Sequence, residues 1–220
     1  MVDVPQPYVV TGTNAVGKDT VLEALVARGN VESMAEPFNW LAAQDERYEW
    51  MGPGNMGWFT SQRLHLMAQV NEWGLRVTGR SLLKFLPVAS LMRTFADECL
   101  EVMVDQYEQA FNASSPVVLN RGLPDLDPWM YKKGLFPLAA YQETVARYRY
   151  AEPIFLLDQL PMSAFPGGKW PREIPSWYSR QQQRQNQYRD CYSKLGYEVV
   201  SVPPVSVEAR CDLIESYILR

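Results

Sequence analysis

Histidine is almost missing from this chain: His65 is the only one in 220 residues. That scarcity excludes histidine-built metal centres and triads of the serine-hydrolase kind, and a place in a helical stretch makes His65 structural. Cysteine is scarce as well. Cys99, Cys191 and Cys211 are odd in number and far apart, with no metal-ligand or redox spacing, which points to a reducing compartment. Positive charge is not in excess, since 21 Lys and Arg against 25 Asp and Glu leave a net charge of −4. This argues against a protein held to nucleic acid by bulk electrostatics and leaves only a local basic groove open. Long apolar runs are lacking too. The most apolar window, 82–92, is broken by Lys84 and Pro87 and is too short to span a bilayer. The opening residues Met1-Val2-Asp3-Val4-Pro5 lack the charged and apolar regions of a secretion signal. The expectation is a cytoplasmic chain with no membrane partner, 47% hydrophobic and long enough for one substantial core in one domain over 1–220.

What is present is a phosphate-binding pattern. The apolar run Tyr8-Val9-Val10-Thr11 is followed by Gly12-Thr13-Asn14-Ala15-Val16-Gly17-Lys18-Asp19-Thr20, and Val21, Leu22, Leu25 and Val26 then fall on one helical face. Strand, glycine loop and helix in that order convert a pattern match into a structural expectation. The glycines let the backbone wrap a phosphate, the N–H groups and helix N-terminus point at it, and Lys18 sets a cation on it. Gly12, Asn14, Ala15, Val16, Gly17, Lys18, Asp19 and Thr20 are therefore the expected nucleoside-triphosphate contacts. The residue after the lysine is normally Ser or Thr, whose hydroxyl ligates Mg²⁺; here it is Asp19, with Thr20 next. Asp19 either serves the metal or complements the helix dipole in the first turn, and Thr20 is the better phosphate contact.

Strands and helices alternate along the chain. Short apolar segments at 8–11, 31–35, 117–120, 153–157 and 198–202 read as buried parallel strands. Helical patterns cover 17–27, 58–73, 92–111, 137–150, 177–195 and 207–219, with Ser206 placed to cap the last. The expected fold is α/β: a doubly wound parallel sheet of five strands, of the P-loop NTPase or kinase type, with a lid. The glutamine-rich run 181–187 reads as the solvated face of a helix.

Further motifs lie where strands end. Ala35-Glu36-Pro37-Phe38-Asn39-Trp40 follows the second strand, which places Glu36 near the γ-phosphate, where a carboxylate can orient or deprotonate an attacking hydroxyl. Trp58-Phe59-Thr60-Ser61-Gln62 comes later, and Asn120-Arg121-Gly122-Leu123-Pro124-Asp125 closes the third strand. The fork of Arg121 suits phosphate oxygens. Glu36 through Trp40 and Phe59 through Gln62 resemble deoxynucleoside kinases, and Gly17-Lys18-Asp19-Thr20 resembles the loops of small-molecule kinases, phage deoxynucleoside monophosphate kinases among them. The resemblance implies that Glu36 is the base, that Trp40 packs near the substrate, and that Gln62 reads the substrate's base with Phe59 beside it. The C-terminal half is similar to the AAA-type ATPase and kinase group related to nicotinamide riboside kinase. Residues 149–158, Pro171-Arg172-Glu173, 192–203 and Ser206 to Arg210 carry that likeness. In both groups a carboxylate stands where this chain has Asn120. The departure shifts the expected metal-linked carboxylate to Asp125, Asp127 or Asp19, and Asp125 is also an expected substrate contact.

Residues 160–176, with Gly167, Gly168, Lys169 and Arg172, read as a lid bringing cations to the transferring phosphoryl group, with Arg172 as its catalytic residue. Residues 74–95 interleave Arg76, Arg80, Lys84 and Arg93 with apolar side chains, as a helical cap, a homodimer contact or a basic groove would. The expectation is a kinase using ATP and Mg²⁺ to phosphorylate a hydroxyl of a nucleoside or nucleotide, with Lys18, Glu36, Arg121 and Arg172 as catalytic residues. Two other readings stand beside it. One is a phage kinase in host cytoplasm that phosphorylates 5-hydroxymethyluracil in DNA during base hypermodification, reading a flipped-out modified pyrimidine. The other is an NTP-hydrolysing switch without an acceptor.

Overall fold

A computed structural model describes residues 6–44, 87–132, 139–161, 164 and 174–219. Within these, five parallel strands form one sheet: β1 (Tyr8–Thr11), β2 (Glu32–Met34), β3 (Val117–Asn120), β4 (Ile154–Leu157) and β5 (Val199–Val202), in the spatial order β2-β3-β1-β4-β5. The strands are parallel because each connection returns over a face through a helix, and they are apolar because both faces are covered. β3 and β4 are buried along their whole length.

Alternation along the strands sorts the core into two layers. Val9, Val117, Leu119 and Ile154 face one layer, packed on α2 (Pro37–Gln44), α3 (Pro87–Phe111), α5 (Ala139–Arg147) and α6 (Ile174–Lys194). Val10, Val118, Phe155 and Leu157 face the other, packed on α1 (Lys18–Ala27) and α7 (Val207–Ile218). The sheet is doubly wound as expected. β1 lies between β3 and β4, so the chain reverses its winding direction at the carboxyl end of β1, where open α/β sheets form their binding crevice.

Two helices were not foreseen: α2, and α4 (Leu126–Lys132), which follows a 3₁₀ turn at Leu123–Asp125. α3 also starts five residues earlier than the pattern indicates. In α2 and α3 a proline is the first helical residue, where its missing N–H takes no bond from the helix. Ser206 caps α7 by accepting from the Ala209 N–H at 3.3 Å. The helix expected at 58–73 lies outside the described residues, as do most of the lid and the stretch 74–86.

Candidate active site

The loop between β1 and α1 owes its shape to residues without a side chain. Gly12 has φ 140°, and a Cβ there would stand 2.9 Å from the Leu157 carbonyl oxygen and 3.2 Å from Val16 Cγ2. Gly17 has φ 84° and is the N-cap of α1, so the loop turns directly into the helix N-terminus. Such a turn gathers backbone N–H groups and the positive helix end around one point, the arrangement an anion needs.

Lys18, the first residue of α1, is buried at 7% exposure. Its ammonium donates to the carbonyls of Thr13 at 3.0 Å and Gly12 at 3.4 Å, lying across the loop. Burial, and then the charge of Arg121, pull its pKa down to about 8 against the opposing carboxylates of Glu36, Asp19 and Asp125. The group is still a cation at neutral pH.

Parallel pairing places the ends of β2 and β3 beside the loop. Val10 is level with Asn120, Met34 is level with Leu119, and the Arg121 N–H donates to the Val10 carbonyl at 3.0 Å. Arg121 has φ 83° and is 4% exposed. Its Nε donates to Glu36 Oε1, its Nη1 to the Gly12 carbonyl at 3.1 Å and its Nη2 to Asn14 Oδ1 at 3.4 Å. The guanidinium lies between the rings of Phe38, 5.6 Å away, and Tyr188, 5.5 Å away. Asn39 donates to the other oxygen of Glu36. Burial alone would raise the Glu36 carboxyl, but Arg121, Lys18 and the two hydrogen bonds bring it below its ordinary range. The result is an ionised carboxylate held at the rim of the phosphate loop.

Asp125, expected at a substrate, is fully buried instead. It accepts from the Thr11 hydroxyl, from the Gly122 N–H at 2.8 Å and from the Tyr192 hydroxyl at 3.1 Å. These bonds tie β1, the turn after β3 and α6 together, and a saturated carboxylate at 0% exposure offers a substrate no face. Asn14, Asp19, Thr20 and Trp40 are exposed. Asp19 accepts from Asn120 Nδ2 at 2.6 Å. Phe59, Gln62, Lys169 and Arg172 lie outside the described residues.

Two functional neighbours were missed by sequence reasoning. Gln185, 9% exposed, accepts from the Thr13 N–H at 3.5 Å and donates to the Leu157 carbonyl at 2.6 Å, joining α6 to the loop and to β4. The run around it is therefore not simply a solvated face: Gln181 and Gln185 are buried while Gln182 and Gln183 are exposed. The signal was the spacing 181, 185, 188, 192, which puts two glutamines and two tyrosines on one helical stripe. Arg210, 2% exposed, reaches from α7 to donate Nη1 to the Val16 carbonyl at 2.7 Å and Nε to the Pro203 carbonyl at 2.9 Å.

Oxygen donors prevail at the loop's exposed edge, in Asp19 and Thr20, and these suit a hard cation. Among the described residues no group of three or more His, Cys, Asp or Glu is assembled, so a cation here would take most of its ligands from phosphate and water.

A family model described as an AAA domain matches residues 7–210. No curated protein matches the chain in sequence. Among solved structures, a thymidylate kinase from Ehrlichia chaffeensis is similar, with a TM-score of 0.50 and 13% identity, over 97% of this chain and 100% of that one. At that identity the likeness is one of fold.

Proposed function

The chain belongs to the AAA-domain family, and on that premise we propose that it is a kinase that moves the γ-phosphoryl group of ATP to a hydroxyl of a nucleoside or nucleotide. The observation carrying this reading is the Glu36 carboxylate, fixed by Arg121 and Asn39 at the rim of the loop that holds Lys18.

In the reaction the acceptor oxygen bonds to the γ-phosphorus as the bond to the bridging oxygen breaks and ADP departs. The hydroxyl proton passes to Glu36. With its pKa below the usual range, Glu36 is a weak base that is always ionised near neutrality. Its work is to orient the hydroxyl, accepting the proton as the new bond makes it acidic. Lys18 and Arg121 place positive charge where the transferring group gains negative charge, and the loop holds the phosphates in line. Mg²⁺, bound with the nucleotide, would neutralise phosphate charge, and Asp19 and Thr20 are the residues set to hold it.

Transfer of labelled γ-phosphate from ATP tests this, with free deoxynucleosides, deoxynucleoside monophosphates and duplex DNA containing 5-hydroxymethyluracil as parallel acceptors. Thymidylate is the first monophosphate to try, since the structural neighbour's name carries it. Label on a nucleoside or nucleotide is the expected result. Label on DNA alone replaces the small acceptor with a modified base in DNA. Free phosphate as the only product overturns the kinase reading.

A further inference from the structure

Arg121 serves two neighbours from one side chain. Its Nε donates to Glu36, while its terminal nitrogens donate to the phosphate loop at Gly12 and Asn14. A guanidinium turned out of that plane cannot hold both. The backbone beneath it is well fixed: the Arg121 N–H donates to the Val10 carbonyl at 3.0 Å, and Asp125 accepts from the next N–H, that of Gly122, at 2.8 Å. Helix α6 presses on the same turn, since a Cβ at Gly122 would stand 2.7 Å from the Tyr192 hydroxyl. A pinned backbone still leaves a long side chain several rotatable torsions, so the orientation of the charge needs a further restraint.

Two rings supply it. The guanidinium carbon lies 5.6 Å from the centre of Phe38 and 5.5 Å from that of Tyr188, within the range over which a ring face attracts a cation. Phe38 has a place in the core on other grounds, as it is buried and stacks on Phe95 with centroids 6.2 Å apart. Tyr188 is only half-buried, and other residues of α6 carry it to Arg121. Gln185 and Tyr192 lie on its stripe about one turn to either side, the first bonded to the loop at Thr13 and the second to Asp125. The ring is thus delivered by a helix anchored on both sides of it.

We propose that Tyr188 is a positioning residue: its ring face, placed by α6, holds Arg121 in the orientation that joins Glu36 to the phosphate loop. The role rests on the kinase reading above and adds to it a residue that acts through Arg121 rather than on the substrate.

The test compares the wild type with Y188F, Y188L and Y188M. Transfer of labelled γ-phosphate from ATP is measured with the acceptors named above, ATP affinity by calorimetry, and the Arg121 Nε–H resonance by proton–nitrogen NMR, assigned by its loss in R121K. Melting curves establish folding; Y188L and Y188M both remove the ring, so one folded variant of the two suffices. In these variants kcat should fall about tenfold or more while the Kd for ATP changes less than about threefold. Y188F keeps the ring and should retain kcat within about twofold. The Arg121 resonance should move where the ring and its ring current are lost, and stay in place in Y188F. A wild-type kcat in Y188L or Y188M overturns the positioning role and leaves the kinase reading intact, as does a Y188F as slow as they are. Parallel losses of kcat and ATP affinity with an unmoved Arg121 resonance assign Tyr188 to general packing and overturn the role as well. A wild type that transfers phosphate to none of the acceptors overturns the kinase reading and this role with it.

Discussion

Burial brings the Lys18 ammonium down from 10.5 to about 8, so the side chain that grips phosphate also weakens the fold that carries it. At 1.36 kcal/mol per unit the strain has an upper bound of about 3 kcal/mol. The folded value lies below the unfolded one, so the penalty is fully present below pH 8 and is relieved as pH rises from about 8 toward 10.5. Lys18→Met should therefore abolish ATP binding and raise Tm at pH 7 by about 4 °C, and thermal melts should show the gain shrinking above pH 8. Arg121 and Glu36 behave in the opposite sense. Their pair is buried, with side chains 3% and 13% exposed. Arg121→Ala leaves Glu36 without its cation and should cost about 3 kcal/mol in urea unfolding. Glu36 is held below its ordinary range, so the stability it contributes is present above the unfolded value and lost as pH falls through the folded one. In Arg121→Ala the acid side of the stability profile should move to higher pH.

Among the elements, α6 is tied to the phosphate loop. It begins at Ile174, within the stretch read as a lid, and its Gln185 touches both Thr13 and Leu157. Gln185→Leu keeps the volume but leaves the Leu157 carbonyl and the Thr13 N–H unpaired. The expected loss is about 2 kcal/mol of stability, with weaker ATP binding in the same calorimetric assay. The strands were the most legible part of the sequence: β1 and β3 run where the apolar runs indicate, and the other three differ by one or two terminal residues. Buried parallel strands write their burial into composition, whereas helix starts depend on context. Pro37 and Pro87 look like breakers and are first-turn residues. In the site, Gly12, Gly17 and Lys18 were readable because the loop's geometry demands glycine and cation at fixed spacing. The burial of Asp125 was not legible, since sequence records a carboxylate after a strand but not the three donors that enclose it. Gln185 and Arg210 act on the loop from far along the chain, a distance no local pattern encodes.

At the scale of the whole molecule, the phosphate loop is built from both ends of the chain. Thr13 is held by Gln185, 172 residues away, and Val16 by Arg210, 194 residues away. Arg210→Ala would remove the donors to the buried Val16 carbonyl and to the Pro203 carbonyl and leave a cavity behind the loop. It should lower global stability by about 3 kcal/mol, read as a fall in the urea midpoint with m unchanged. The same long bridge sets a clock during synthesis. At about 5–20 residues per second, about 10–40 seconds pass between the emergence of the loop and that of the arginine that braces it. A nascent chain thus shows the glycine-lysine pattern long before its brace exists, and a message broken ahead of Arg210 yields the motif without the support that shapes it.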